Sequence, residues 1–299
     1  MSLNNEILEK LDLIDTVPVE FINAVEKMQP LWADDLEKLI NELGFTGGRL
    51  NQDAENLAKI AQIKDAFLLK IMNDEGVYRE ALREYAKQFL KQRRINDSIF
   101  AQTFDSVDVD TDFLDEMFKT SRRNAIKLFD ADSIVREFID PIGNTLTESV
   151  STGGTHNDLI KTLRNFIEGD EERLGQYRRY VGTYAKDSFS TFDRSYTQAL
   201  VKEYGGEWIR YLGGKVRDSR QFCIDRDGKF FHIKEVELWG AGVGVGDAGF
   251  PWQGMNTNTN PDTIKNFCGG YNCNHSLVYV VEADVPDEVK ERAKEKGYV

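Results

Sequence analysis

Three cysteines occur in this 299-residue chain, and all lie after residue 220. Cys223 precedes Asp225-Arg226-Asp227-Gly228. Cys268 and Cys273 frame Gly269-Gly270-Tyr271-Asn272, and His275 follows Cys273 by two residues. Thiolate sulfur and imidazole nitrogen are donors that zinc takes readily, and three Cys with one His is an ordinary tetrahedral set. On a strand, alternation turns Cys273 and His275 to one side, and the Gly-Gly turn would close Cys268 onto them. The metal candidate is a structural zinc held by Cys223, Cys268, Cys273 and His275, with His232 as a substitute ligand. The spacing is looser than the two C-x2-C pairs of a zinc ribbon, because Arg226 stands where a second cysteine would complete the pair begun by Cys223. Small buried thiols packed beside a hydrogen-bonded His are the competing reading, and the one the loose spacing favours.

Other chemistry is less marked. A nucleophile built from Cys223 or Cys273 with His275 needs only a thiolate and an adjacent base, but nothing else in the sequence marks one. Asp218, Asp225 and Asp227 form an acidic cluster. With His275 they would suit a metal-dependent nuclease or toxin-like enzyme; as turn residues they would bond the local backbone instead. Gly244, Gly246 and Gly249 fit G-x-G-x-x-G formally. Phe250-Pro251-Trp252 follows at once, where a dinucleotide site needs a helix, and no Lys-Ser/Thr pair completes a P-loop. The glycine run 240–249 therefore reads as a loop that orders on contact with a partner. Lys91, Arg93 and Arg94, then Arg122-Arg123 and Arg178-Arg179, are short basic patches. They read as solvated helix faces, and local contact with a phosphate backbone is the secondary reading.

The bulk charge agrees with that ranking. A formal charge of −13 repels the phosphate backbone and makes a poor bulk binder of nucleic acid. Residues 211–299 hold 11 Lys and Arg against 13 Asp and Glu, so nearly all of the excess lies on residues 1–210. Met1 to Glu9 is polar and lacks the apolar stretch of a secretory signal. No run approaches the ~18 apolar residues of a membrane span. The expected setting is a cytosol, where clustered Cys point to metal, catalysis or packing more than to disulfides.

The elements that must position these residues follow from periodicity. Ile60, Ile63, Phe67, Leu68 and Ile71 recur at three- and four-residue steps, as do Val77, Leu82, Tyr85, Phe89 and Leu90, which predicts helices over residues 1–105. Phe45-Thr46-Gly47-Gly48 breaks them, and Asp105 to Thr111 reads as a linker or turn. A helical middle region, 106–207, is interrupted at 149–155, where Thr155 or Asn157 would cap a new helix. A long helix from Gln176 to about Tyr204 would bury Tyr177, Val181, Tyr184, Phe189, Phe192, Tyr196 and Leu200. Beyond Gly205-Gly206 the pattern changes. Trp208, Ile209, Tyr211 and Leu212 suggest a strand. Phe222–Ile224 and Lys229–Ile233 flank Asp227-Gly228 as a hairpin would. Ser276 to Val281 is a β-branched strand run, and Pro286 opens a last helix that Gly297 ends. The expected fold is α+β: helical regions at 1–105 and 106–207, then a small α+β Cys/His-bearing module at 208–299 with a β-hairpin and a short sheet.

Taken in order, the long Tyr- and Arg-rich helix, Trp208, Asp218-Ser219-Arg220 leading to Cys223, the Asp227-Gly228 turn, the Gly-rich loop, Phe250-Pro251-Trp252 and the closing Cys273-Asn274-His275 before a strand resemble one known arrangement. It is the C-terminal domain of the Mu F-like head morphogenesis family, the minor head proteins of tailed phages. The match covers about residues 155–283. Arg226 departs from a second Cys often found in the family, and Asn274 from its usual Arg. The resemblance implies a non-enzymatic phage minor capsid protein that acts in head morphogenesis and capsid assembly. Such a protein would reside in the virion head or neck, assembled in the host cytoplasm in multiple copies. Its implied partners are the portal protein and/or the major capsid protein, with packaged DNA as a further contact and no membrane. The alternatives are the nuclease or toxin-like enzyme and a DNA-binding accessory protein of the packaged head.

Overall fold

The computed structural model describes residues 2–73, 76–104, 109–214 and 219–299. Helices come first and dominate: α1 (Leu3–Ile40), α2 (Ala54–Ile71), α3 (Val77–Thr103) and α4 (Thr111–Lys127). Then follow α5 (Ala131–Ile134), which runs through the π-helical turn Val135–Ile139 into α6 (Asp140–Thr152), then α7 (His156–Glu168) and α8 (Gln176–Tyr204). A two-stranded hairpin, β1 (Phe45–Thr46) and β2 (Arg49–Leu50), fills the break after α1. Its turn residues Gly47 and Gly48 have φ of 58° and 77°, the left-handed pair that a two-residue turn between antiparallel strands requires. The rest comprises β3 (Trp208–Leu212), α9 (Gln221–Ile224), β4 (Phe230–His232), α10 (Ile233–Trp239), α11 (Ile264–Phe267), β5 (Ser276–Val280) and α12 (Asp287–Glu295). The fold is α+β, mostly helical with two small antiparallel sheets. Among the described residues no helix is long and apolar enough to cross a membrane.

Two compact units form, and neither is one stretch of chain. One takes Val19–Ala86 and Ile126–Ala185; the other takes Met1–Pro18, Lys87–Ala125 and Lys186–Val299. These differ from the contiguous regions 1–105, 106–207 and 208–299 expected from periodicity and its breaks. Helix length is the reason. Helices α1, α3 and α8 have 38, 27 and 29 residues. At 1.5 Å per residue each is about 40 Å or longer, more than a small domain's ~30 Å diameter. Each supplies residues to both units.

In the first unit the core is aromatic. Phe21 stacks on Tyr85 at 4.9 Å, Phe138 packs on Tyr177 at 5.3 Å, and the Tyr78 hydroxyl donates to the Phe129 carbonyl at 2.8 Å. Of the two capping candidates, Thr155 caps α7: its hydroxyl accepts from Asp158 N, and Gly153, with φ 63°, ends α6. His156 contacts Asn41 Oδ1 at 2.8 Å.

The second unit contains the three-stranded sheet, ordered β4-β3-β5 and antiparallel throughout. Trp208 pairs with His232 on one side and with Val280 on the other. Val285, Val289 and Ala293 from the α12 region cover Trp208. The expected hairpin between Phe222–Ile224 and Lys229–Ile233 does not form. Gln221–Ile224 is a helical turn, and β4 pairs with β3 instead. Three apolar residues are too few for periodicity to separate strand from helix. The N–H groups of Ile224 and Asp225 donate to the carbonyls of Arg220 and Gln221, which settles the segment as helix.

A charged network is also buried in this unit. Asp193 is fully buried and Lys10 is 2 % exposed, with Nζ 3.1 Å from Asp193 Oδ1. Gln92 and Asn96 donate to the same carboxylate at 2.7 and 2.9 Å, and Ser276 Oγ donates to Oδ2 at 2.8 Å. These partners join α1, α3, α8 and β5 around one anion. Such a charge survives burial only when paired and hydrogen-bonded.

Candidate metal centre

Tyr211 lies on the central strand β3, opposite Leu277 of β5. The ladder continues past β4: Gly228 N donates to Tyr211 O at 2.7 Å and Tyr211 N to Lys229 O at 3.0 Å. This pairing brings the α9 turn, and Cys223 on it, beside Tyr211. The Tyr211 hydroxyl is 3.5 Å from Cys223 Sγ and 3.8 Å from Cys273 Sγ.

The closing segment arrives from the other direction. Its turn places Cys268 at φ 46°, Gly270 at 102° and Asn272 at 57°. Left-handed backbone at a residue bearing a side chain persists only where the surroundings enforce it. Here several contacts do. Arg194 of α8 donates to the carbonyls of Asn266, Cys273 and His275. Asp187, also on α8, accepts from Asn272 N at 2.5 Å, and Trp252 Nε1 donates to Gly269 O at 2.9 Å.

The result is a cluster of three donors: Cys223, Cys273 and His275, all buried and all within 4.8 Å of one another. That is close enough for one metal ion to touch all three. The sulfurs are 3.8 Å apart, and His275 Nδ1 is 3.9 Å from Cys273 Sγ. The His275 ring stacks on the Tyr211 ring at 5.0 Å and 22°. Among the described residues no other group of three or more His, Cys, Asp or Glu gathers in this way.

The electrostatics divide the two sulfurs. Cys273 is held well below the usual thiol range by the hydrogen bond with Cys223 and then by the Arg194 cation, against the effect of burial. Cys223, the other partner of that bond, is pushed up, with burial adding to the rise. Thiols lose their protons to bind a metal, so an ion entering the site would displace protons. Burial, followed by the neighbouring Cys273 and Cys223, raises Tyr211 well above its ordinary value.

Of the four expected ligands, three converge. Cys268 is buried, but its Sγ faces the Lys265 carbonyl at 3.9 Å, outside the cluster of three, and burial pushes it up to about 12. The left-handed turn at Cys268 puts the Gly269 backbone against the sulfurs instead. A Cβ on Gly269 would lie 2.3 Å from Cys223 Sγ. His232 is not in the cluster either; its Nδ1 accepts from Lys234 N at 3.3 Å and caps α10.

Arg226, the position where a second cysteine would complete a pair, has a different task. Its guanidinium lies 3.9 Å from the Phe222 ring centre and 4.5 Å from that of Trp239, and it donates to the carbonyls of Phe222 and Gly244. Among the described residues Asp225 and Asp227 are not part of a cluster of metal-binding side chains. Asp225 accepts from Gln221, Asp227 accepts from Gly213 N and lies 3.7 Å from His275 Nε2, and Asp218 lies outside the described residues. The glycine run follows helix α10 rather than a strand, and only the short 3-10 turn Gly246–Ala248 occurs within it. In the basic patches, Lys91 pairs with Glu9, Arg93 with Asp115 and Arg178 with Glu26. These pairs occupy charges that a phosphate would otherwise meet.

Sequence reasoning missed Arg194, Tyr211 and Gly269. Arg194 sits off the aromatic stripe of α8, and its partners are backbone carbonyls, which leave no mark in a sequence. No family model, curated protein or solved structure matches this chain.

Proposed function

We propose that this chain is a minor head protein of a tailed phage, a structural and assembly component of the portal vertex or capsid interior. In it a zinc ion staples the Cys/His-bearing module that serves as a docking body. The observation that carries the reading is the convergence of Cys223 with Cys273 and His275. Two elements of the stretch that resembles the Mu F-like family, 50 residues apart at Cys223 and Cys273, meet at one buried cluster. Structural zinc sites take four Cys or His ligands, and Cys223, Cys273 and His275 would supply three of them.

The distances support zinc. Bonds of ~2.3 Å to sulfur in tetrahedral geometry put two sulfurs about 3.8 Å apart, and here the separation is 3.8 Å. The corresponding sulfur-to-nitrogen edge is about 3.5 Å, against 3.9 Å between His275 Nδ1 and Cys273 Sγ. The ion would tie the α9 turn to the segment leading into β5. The Arg194 cation beside it offsets the negative charge of two thiolates.

Heads purified from a phage or lysogen that carries this gene test the assembly role. Quantitative mass spectrometry of intact heads is expected to find the chain in far fewer copies than the major capsid protein. Cross-linking should join it to the portal or the capsid shell. Heads that contain none of it would overturn the reading.

A further inference from the structure

The His275 ring is clamped and buried, and one of its nitrogens lacks a hydrogen-bond partner. Nδ1 faces Cys273 Sγ, on the side of the metal cluster, at 3.9 Å. Nε2 has no hydrogen bond although the residue is only 4 % exposed. The carboxylate of Asp227 lies 3.7 Å from that nitrogen. Asp227 is fixed from two directions. Its Oδ1 accepts from Gly213 N at 3.2 Å, and its own N–H donates to the Cys223 carbonyl at 2.9 Å. Gly213 completes the clamp, since a Cβ there would fall 2.6 Å from His275 Cγ.

A neutral imidazole carries its proton on one nitrogen and binds a metal through the other, and the group facing the first nitrogen decides which is which. Carboxylates commonly fill that role behind metal-bound His. We propose that Asp227 is a positioning residue for the metal centre. Its carboxylate accepts a hydrogen bond from Nε2–H of His275 and so holds the proton on that nitrogen, leaving Nδ1 free to meet the ion shared with Cys223 and Cys273. This rests on the metal reading above. It also gives Asp227 contact with two of the three ligand-bearing residues, His275 through the side chain and Cys223 through the backbone.

Two substitutions separate charge from scaffolding. Asp227→Asn keeps an oxygen for the Gly213 N–H and loses the charge facing His275; Asp227→Ala loses both. Zn2+ affinity is read by competition with a chromophoric chelator, Co2+ spectra report the ligand set, and thermal unfolding reports the metal-free fold. Expected are about tenfold weaker Zn2+ binding for Asp227→Asn and about 10–100-fold for Asp227→Ala. The thiolate-to-Co2+ bands should persist in both, and metal-free Asp227→Asn should unfold as the wild type does. Equal affinity in all three proteins overturns the role of Asp227 and leaves the metal centre standing. A metal-free Asp227→Asn protein that unfolds early overturns it too, by making Asp227 a fold residue. A wild type that binds neither ion removes the metal reading and this inference together.

Discussion

Arg194 Nε donates to the backbone carbonyl of His275 at 2.9 Å. The same guanidinium donates to the carbonyls of Asn266 and Cys273, so one buried side chain of α8 holds the whole closing segment. Arg194→Met strips the donors from three carbonyls, and each one left buried and unsatisfied costs ~1–3 kcal/mol. The variant is expected to lose at least about 3 kcal/mol in urea unfolding. Arg194→Lys should fall between it and the wild type, because an ammonium cannot reproduce the planar fork. An unchanged urea midpoint for Arg194→Met would show that the carbonyls do not depend on it.

Gly269 is a steric gate for the cluster. A methyl group there would lie 2.3 Å from Cys223 Sγ and 3.0 Å from Cys273 Sγ. Gly269→Ala should destabilise the fold by ~1–3 kcal/mol through overpacking and abolish Zn2+ binding. Gly228→Ala serves as the comparison, since nothing lies within 4 Å of a Cβ at that position. Its cost would be backbone strain at φ 80°, with Zn2+ binding retained. Tight Zn2+ binding by Gly269→Ala would contradict the geometry.

The buried pair Lys10–Asp193 is expected to behave asymmetrically. Lys10→Met leaves the Asp193 carboxylate without its cation and should cost about 3–5 kcal/mol. Removing both charges, with Lys10→Met and Asp193→Asn together, should recover part of that loss, because the amide keeps an acceptor oxygen for the neighbouring donors. Denaturant unfolding of the two single variants and the double variant closes the cycle. Additive losses would mean that the two residues do not interact.

Acid stability follows from the same group. Burial pushes the Asp193 carboxyl up, but Lys10, Asn96, Gln92 and Ser276 together pull it below its ordinary value. A folded-state pKa below the unfolded one contributes stability above the unfolded value, about 4, and loses it as pH falls through the folded value. Asp97 and Asp187 shift the other way, raised chiefly by burial, so they favour folding as pH falls and partly mask the loss. The comparison must therefore be differential. The stability gap between wild type and Asp193→Asn should narrow below about pH 4, and a gap constant from neutral pH to acid would refute the linkage.

What the sequence made legible was local. The aromatic steps from Tyr177 to Leu200 and the Gly205-Gly206 stop marked α8 at its observed bounds, and two-residue spacing put Cys273 and His275 on one side. Features that depend on distant backbone were hidden. Cys268 faces away because its own φ is left-handed, the Cys223 run is helical because Arg220 and Gln221 accept its hydrogen bonds, and the two units alternate along the chain because three long helices each supply residues to both. Arg226 read as a missing ligand, whereas its cation over Phe222 and Trp239 shows a residue that packs the module by other means.

The most direct test of the central claim is the zinc content of the purified protein, measured by mass spectrometry of the metal, with Cys223→Ser, Cys273→Ser and Cys268→Ser alongside. The account predicts one zinc per chain in the wild type, its loss in the first two variants and its retention in Cys268→Ser, whose sulfur lies outside the cluster of three. Wild-type protein free of metal that cannot be loaded with Zn2+, or zinc lost in Cys268→Ser but kept in Cys223→Ser, would contradict it.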